Sequence, residues 1–348
     1  MFKRIIVPLD GSNRAERAIP IAARIARASE GSIILLSIVT IPLEIGSQVI
    51  PLSGFSSTTL DNDINAATNY LAAIARRDEL DGIGLKMKVL TGSAAQKILD
   101  VVEEEQADLI VMCSHGITGI KRLMLGSVAE KVARHSTVPL LVLRQDGSVP
   151  ASSYPDHLRP LRAVVAIVAL DGSALAEAAL MPAASLVMAL AAPARGSLQL
   201  TRVVKLPIKV SESAEQSKHS YSESMGPHLK DQAIREAKTY LGNLVEQLRQ
   251  GPLKDADLTL TWSVATGKDV AETLIRAAET GEDIEGSEVF GGCDLMVLAT
   301  HGRGGLERWV LGSVTEHILG ATRLPMLIVR PKEKHAQTAT ASMQIEAR

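Results

Sequence analysis

The strongest constraint on the fold is an internal duplication of the sequence. His115-Gly116 is followed by Gly119 and then by Leu125-Gly126-Ser127-Val128, and the same residues recur 186 positions later, from His301 to Val314. Nine of the sixteen positions from His115 to Glu130 are identical to their counterparts. A glycine–serine turn that opens a helix beside a buried strand is the geometry that presents backbone N–H groups to a phosphate. Two copies of the turn therefore predict two such sites.

The duplication extends through most of the chain. Three further segments recur in the same order, at offsets that grow from 161 to 165 and 175 before reaching 186. These pairs are Ile5–Ser12 with Ala166–Ser173, Gly31–Val39 with Gly196–Val204, and Thr91–Ser93 with Thr266–Lys268. Because the offset only increases, the order of elements is kept and insertions fall between them. We expect two homologous domains at 1–146 and 161–331, joined by a linker at 147–160 and followed by a disordered tail at 332–348.

Each half alternates strand and helix patterns. Continuous apolar runs such as Ile33–Val39 and Leu109–Met112 are typical of strands buried on both faces of a parallel sheet. Helical patterns lie between them, near 13–29, 58–80, 94–105 and 122–135. The sequence thus predicts an α/β fold of two repeated domains, each an open, doubly wound sheet of five mainly parallel strands with helices on both faces.

Composition argues against nucleic acid as a partner. The net charge is −2 and aromatic residues make up 3% of the 348, so neither a basic surface nor a set of base-stacking side chains is expected. The two cysteines, Cys113 and Cys293, occupy non-equivalent positions of the repeat, which fits a reducing compartment. With no apolar signal-peptide run near the N-terminus, we expect a cytoplasmic protein.

One apolar run resembles a membrane span in length. Ala174–Ala194 is nearly free of charge, but it contains Glu177 and Pro182 and is dominated by alanine. It also aligns with 13–30, an amphipathic stretch in the first half. We therefore expect a helix buried on several sides, at an interface, and no membrane partner.

Two of the repeated motifs fall where strands end. Asp10-Gly11-Ser12 follows the first strand and Ser114-His115-Gly116 the fourth, and ligands of open parallel sheets bind beyond those carboxyl ends. Gly116 and Gly126 let the backbone approach a ligand. Gly126 and Ser127 together offer two successive amides, and Ser127 adds a hydroxyl. Asp10 can accept from a ribose hydroxyl or hold a metal beside phosphates. The alternatives are tight turns for the glycines and helix caps for Asp10 and Asp171.

These motifs closely resemble the universal stress protein family. Its ATP-binding members carry the pattern G-x2-G-x9-G-[ST], which is matched by Gly116-x9-Gly126-Ser127 and by Gly302-x9-Gly312-Ser313, with Asp10 and Asp171 in the family's place for an early aspartate. The resemblance covers both halves and implies the adenine nucleotide alpha hydrolase-like fold. One departure is that the first glycine of the pattern is Cys113 in one half and Ala299 in the other, so a weaker site is expected in the first half.

The resemblance also implies the ligand and its contacts. The cofactor is ATP, commonly with a divalent cation such as Mg²⁺ or Mn²⁺. Adenosine is held by the aspartate and by the end of the second strand, and phosphates by the glycines, the serine and the valine after it. In the first half these residues are Asp10, Ile38, Gly116, Gly126, Ser127 and Val128, and in the second they are Asp171, Val203, Gly302, Gly312, Ser313 and Val314.

The function that follows is nucleotide-dependent regulation in a stress response. No Walker A sequence is present, and no catalytic residue is predicted. A slow, metal-dependent ATP hydrolase and a nucleotide-free interaction module remain as alternatives. The final strands, Val138–Arg144 and Leu324–Arg330, are apolar edges, so we expect them to pair and join the halves as an intramolecular pseudo-dimer. The whole chain is a candidate for further homodimerisation.

Overall fold

A computed structural model describes residues 2–40, 57–114, 125–144, 164–206, 227–281, 284–286, 292–300 and 311–331. The predicted linker and tail, and the two histidine–glycine motifs at 115–116 and 301–302, lie outside these residues. The prediction that the tail is disordered therefore stays a prediction.

The first half alternates strands and helices as its sequence predicts. The predicted helix at 13–29 begins as a 3-10 turn at Ala15–Arg17, and the one at 58–80 ends earlier, at Ile74. The elements are β1 (Arg4–Leu9), α1 (Ala18–Ser29), β2 (Ser32–Val39), α2 (Ser57–Ile74), β3 (Gly84–Thr91), α3 (Ala94–Glu104), β4 (Leu109–Cys113), α4 (Ser127–His135) and β5 (Leu140–Leu143).

The second half repeats this order, with α5 in place of the 3-10 turn before α1 and with one added strand. A three-residue strand, β9, forms inside an insertion at 281–292 that the first half lacks, and it pairs antiparallel with the strand before it. The elements are β6 (Val165–Ala169), α5 (Ala174–Glu177), α6 (Leu180–Ala191), β7 (Gly196–Lys205), α7 (Pro227–Gln250), β8 (Leu258–Gly267), α8 (Val270–Glu279), β9 (Ile284–Gly286), β10 (Leu295–Ala299), α9 (Ser313–Ala321) and β11 (Met326–Val329).

The eleven strands of the described residues form one sheet, in the order β3-β2-β1-β4-β5-β11-β10-β6-β7-β8-β9. The five strands of the first half are parallel, as are the five equivalent strands of the second. In each half the strand order reverses beside the first strand, between β1 and β4 and between β6 and β10. Those reversals are where an open α/β sheet forms its ligand crevice.

The two half-sheets meet through their final strands. β5 pairs antiparallel with β11, with Leu141 opposite Leu327, and this confirms the predicted pairing of the two apolar edges. Because the pairing is antiparallel, the carboxyl ends of the two parallel half-sheets lie at opposite ends of the shared sheet. The two predicted sites are therefore far apart.

Both faces of the sheet carry a core that runs through both halves. Helices α1, α2, α6 and α7 cover one face, and α3, α4, α8 and α9 cover the other. Helix α1 of the first half packs directly on α6 of the second. The halves therefore share hydrophobic contacts on both sides of the strand pair that joins them.

The alanine-rich run lies within this interface. Among the described residues, Ala174–Ala191 is the run with the length and apolar character of a membrane span, and 56% of it is buried inside the protein. Helix α6 packs against β6 and β7 as well as α1. The buried interface helix that the sequence predicts is what the structure shows, and the prediction about membranes is not tested by it.

Polar contacts also cross between the halves. Arg144, which follows β5 and is 6% exposed, donates from Nη2 to the carbonyl oxygen of Leu319 in the last turn of α9. Burial lowers the pKa of this guanidinium to about 10, and its Nε and Nη1 have no hydrogen-bond partner. On the surface, Arg134 of α4 contacts Glu130 at 3.0 Å and Glu316 of α9 at 2.8 Å. The C-terminus of α9 stabilises the buried guanidinium of Arg144.

Because both halves share one sheet, we expect a destabilising substitution in one half to lower the stability of the other half as well. Leu141 is 1% exposed in β5, and both tryptophans, Trp262 and Trp309, belong to the second half. We expect Leu141→Ala to lower the free energy of unfolding by about 2–5 kcal/mol, because it leaves a cavity in a core common to both halves. In guanidinium chloride, the tryptophan fluorescence transition should move to lower denaturant together with the far-ultraviolet circular dichroism transition.

Leu229→Ala is the control, because Leu229 is 49% exposed on α7 and its truncation should leave both midpoints unchanged. A Leu141→Ala protein whose tryptophan transition stays at the wild-type midpoint would show that the halves unfold independently.

Candidate functional site

A cavity of about 190 Å³ opens at the carboxyl ends of β1 and β4, at the strand-order reversal of the first half. Its walls come from the strand ends, the turn after β1, the start of α3 and the start of α4. The lining residues are Pro8, Leu9, Asp10, Ala15, Ile38, Ala94, Ile98, Met112, Cys113, Ser114, Gly126, Ser127, Val128 and Ala129. Five residues that the sequence analysis selected, Asp10, Ile38, Gly126, Ser127 and Val128, thus lie around one space.

The aspartate turn has the same geometry in both halves. Oδ1 of Asp10 accepts hydrogen bonds from the Ser12 amide at 3.1 Å and the Ser12 hydroxyl at 2.6 Å. Oδ1 of Asp171 accepts from the Ser173 amide at 2.9 Å and hydroxyl at 2.6 Å. These bonds fix each carboxylate at the end of its strand.

Glycine and serine complete the turn. Gly11 and Gly172 have φ angles of 83° and 85°, a left-handed conformation that favours glycine. The Ser12 hydroxyl accepts from the Ala15 amide at 3.2 Å, and the Ser173 hydroxyl accepts from Ala176 at the same distance. The serines thus cap the following helical turn, while each aspartate orients its serine. The helix-cap alternative therefore describes the serines better than the aspartates.

The glycine–serine turn closes onto the end of the fourth strand of each half. The Gly126 amide donates to the Ser114 carbonyl at 2.8 Å, and the Gly312 amide to the Thr300 carbonyl at 2.8 Å. The first helical hydrogen bond of α4 runs from Glu130 to the Gly126 carbonyl at 2.9 Å. Because the Gly126 amide is already used, the N–H groups that α4 presents at the cavity are those of Ser127 and Val128.

Gly312 has a steric reason to be glycine. A Cβ atom at this position would lie 3.0 Å from the Thr300 carbonyl oxygen that its own amide contacts. Gly312 therefore does serve a tight turn. This turn is compatible with ligand binding, because it places the N-terminus of α9 against the end of β10.

Of the remaining predicted site residues, all but two lie in the described part of the chain. Ile38 and Val203 lie near the ends of β2 and β7, on the sheet face that carries α3 and α8. Asp171, Gly312, Ser313 and Val314 hold the equivalent places in the second half. Gly116 and Gly302 fall outside the described residues.

Cys113 distinguishes the first cavity from the equivalent place in the second half, where Ala299 stands. Its thiol lines the cavity and donates to the carbonyl oxygen of Arg14 at 2.8 Å. Burial raises the pKa of this thiol to about 12. Ala299 stands in the equivalent place, and there the hydroxyl of Thr315 donates to the Ala299 carbonyl at 3.1 Å. The first cavity is thus narrowed by a sulfur atom that the second half lacks.

One wall of the cavity consists of residues that no sequence motif marks. Ala94 and Ile98 lie on α3, and Met112 and Ala129 complete the apolar surface. None of these side chains carries a chemical signature. They are identified only once α3 is known to pack beside α4 across the end of the sheet.

A tyrosine–glutamate hydrogen bond also occurs in both halves, and its glutamate lies close in sequence to the aspartate turn. The Tyr70 hydroxyl donates to Glu16 at 3.1 Å in the first half, and the Tyr240 hydroxyl donates to Glu177 at 2.7 Å in the second. Burial, aided by the neighbouring glutamate, raises the pKa of both tyrosines. Glu16 and Glu177 share the 161-residue offset of the aspartates, so this hydrogen bond was duplicated with the turn.

Comparison with known proteins agrees with this fold. The family model of the universal stress protein family matches residues 1–144 and again 165–330. Universal stress protein MJ0531 of Methanocaldococcus jannaschii is 29% identical over 145 residues, 42% of this chain and 84% of its own. Universal stress protein Rv2005c of Mycobacterium tuberculosis is 24% identical over 251 residues, 71% of this chain and 70% of its own.

A solved universal stress protein from Archaeoglobus fulgidus covers 95% of this chain and 97% of its own, with a TM-score of 0.59 at 16% identity. Two family matches in sequence order, on the same repeated α/β fold, leave one conclusion. The chain belongs to the universal stress protein family and has its tandem two-domain arrangement.

The environment of Cys113 predicts an unreactive thiol. With a pKa of about 12, roughly one thiol in ten thousand is ionised at pH 8, against a substantial fraction for a free cysteine. In a Cys293→Ala background, so that only Cys113 reports, we expect the native protein to react with Ellman's reagent at least about a hundredfold more slowly than the protein in 6 M guanidinium chloride. Equal rates in the two conditions would contradict the buried, hydrogen-bonded thiol.

Proposed function

We propose that this protein binds ATP in one cleft per half and acts in the cytoplasm as a nucleotide-dependent regulator in a stress response. The observation that carries the proposal is the cavity at the β1–β4 reversal, where a carboxylate, an apolar wall and a helix N-terminus surround one space. Each of these groups suits a different part of an adenine nucleotide.

The three parts of the ligand have separate partners. The Asp10 carboxylate suits a ribose hydroxyl, because it is held at the strand end by its bonds to Ser12. Ile38 and the α3 wall offer an apolar surface for the flat face of a base. The amides of Ser127 and Val128, with the Ser127 hydroxyl, suit phosphate oxygens at the positive end of the α4 dipole.

A divalent cation fits this site only together with the nucleotide. Mg²⁺ and Mn²⁺ prefer several oxygen ligands, and each turn offers a single aspartate. Among the described residues, no group of three or more His, Cys, Asp or Glu side chains is placed to hold a metal ion. We therefore propose that phosphate oxygens and water complete the shell of any cation beside Asp10 or Asp171.

A regulatory role is favoured over dedicated catalysis by the chemistry of the cavity. Its lining contains one carboxylate, one serine at the helix start and a thiol held in its neutral form. A general base matched to a nucleophile is not found among these lining residues. Release of ADP or AMP by the purified protein, lost in Asp10→Ala and Asp171→Ala with binding kept, would favour the hydrolase instead.

Nucleotide stoichiometry tests the proposal. We expect calorimetry to detect two ATP molecules per wild-type chain and one in Gly312→Val, because the added side chain collides with the Thr300 carbonyl and displaces the start of α9. Gly320→Val is the matched control, since a Cβ at Gly320 in the same helix meets no atom within 4 Å. If the folded wild-type protein binds no ATP, the proposal is wrong and the alternative of a nucleotide-free interaction module is favoured.

The difference between the clefts gives a reciprocal prediction. In Gly312→Val, where only the first cleft remains, Cys113→Ala should tighten ATP binding by roughly tenfold, because it removes a sulfur atom from the cavity. In Gly126→Val, where only the second remains, Ala299→Cys should weaken binding by a similar factor. The dissociation constants are measured by calorimetry, and two substitutions with no effect would remove Cys113 as the source of asymmetry.

A further inference from the structure

A second cavity, of about 330 Å³, lies at the end of the second half-sheet opposite to the Asp171 turn. It sits at the amino ends of β7 and β8, beside the last turn of α7, whereas the Asp171 turn is at the carboxyl ends of the same parallel strands. Three basic side chains line it, Arg195, Arg249 and Lys254, against the apolar residues Leu253 and Leu258. It is therefore separate from both nucleotide clefts.

Two backbone contacts hold the arginines at this cavity. Nη2 of Arg249 donates to the Leu260 carbonyl at 2.7 Å, and Nη2 of Arg195 donates to the Leu258 carbonyl at 3.4 Å. Each bond uses one of the five N–H donors of a guanidinium, and Nε of Arg195 also faces Asp257, so several donors on each side chain remain for a ligand. The two arginines are thus oriented by the start of β8.

The positive charge at this cavity is only partly compensated. Nε of Arg195 lies 3.3 Å from Oδ1 of Asp257, but that carboxylate is 73% exposed and does not line the cavity. Arg249 and Lys254 make no ion pair among the described residues. Two cationic side chains therefore face the cavity without an acidic partner.

The duplication shows that the fold does not require two of these charges, those of Arg195 and Lys254. By the 165-residue offset of the preceding strand, Arg195 takes the place of Glu30. Leu253 and Leu80 close equivalent turns, accepting from Ala256 and Ile83 at 3.2 Å each, so Lys254 takes the place of Asp81. Two acidic positions of the first half are basic in the second. The same fold thus exists without two of the three cations, whereas Arg249 has a basic counterpart in Arg76.

We propose that this basic cavity binds the phosphate group of one small phosphorylated molecule, independently of the two nucleotide clefts. Guanidinium groups match phosphate oxygens with paired N–H donors, and a lysine adds a point charge. The volume is at the lower end of small-molecule sites, which suits a phosphate ester better than a polymer. Its open position at a helix–strand turn gives the ligand access from solvent.

The test uses inorganic pyrophosphate as the probe, by equilibrium dialysis at low ionic strength, where screening is weak. The protein is the full chain carrying Gly126→Val and Gly312→Val, so that the clefts do not contribute. We expect one pyrophosphate per chain, and an affinity reduced at least about tenfold by Arg249→Gln with Lys254→Gln. Lys254→Gln alone, whose side chain makes no hydrogen bond to the described residues, should reduce it several-fold.

Lys230→Gln with Arg235→Gln is the matched control, because it removes the same charge from α7 away from the cavity. Equal losses in this control would show bulk electrostatics and overturn the proposal. Unchanged binding in the Arg249→Gln/Lys254→Gln protein, or no saturable binding of pyrophosphate, would overturn it as well. None of these outcomes depends on whether the clefts bind ATP.

Discussion

The antiparallel pairing of β5 with β11 is the contact on which the rest of the molecule depends. Each half-sheet ends in a short strand that is buried along its whole length, Leu140–Leu143 and Met326–Val329. Left open, either would be an apolar edge prone to pairing with other chains. Pairing removes both edges at once, brings α1 onto α6, and sets Arg144 against the C-terminal end of α9. It also places the two proposed nucleotide sites at opposite ends of one sheet.

The outer edges of the sheet are protected differently in the two halves. β3 carries Lys88, which contacts Glu104 at 2.7 Å and Glu105 at 2.6 Å, and such charges disfavour edge-to-edge pairing. The equivalent position in β8 is Ser263, fully buried, and β9 pairs along that edge instead. The duplicated fold has thus diverged at its periphery, as it has at Cys113 and Ala299 and at the basic cavity, while the aspartate turn kept its geometry.

Much of this architecture follows from the sequence because duplication shows which residues recur together. The strand alternation, the pairing of the final strands and the grouping of Asp10 with Gly126 and Ser127 were all predictable. The cap formed by Ser12 was not, because an Asp-Gly-Ser turn offers two side-chain acceptors and only backbone angles decide between them. β9 lies in an insertion with no counterpart, and the Ala94–Ile98 wall has no chemical signature. The basic cavity joins residues more than fifty positions apart, which only the folded chain brings together.

The central claim is that each half keeps a nucleotide cleft at its own strand-order reversal. A crystal structure of the full chain with a non-hydrolysable ATP analogue tests this most directly. We expect one nucleotide with its ribose at Asp10 and its phosphates at the amides of Ser127 and Val128, and a second at Asp171, Ser313 and Val314. Nucleotide density away from both turns, or empty clefts at saturating analogue, would contradict it.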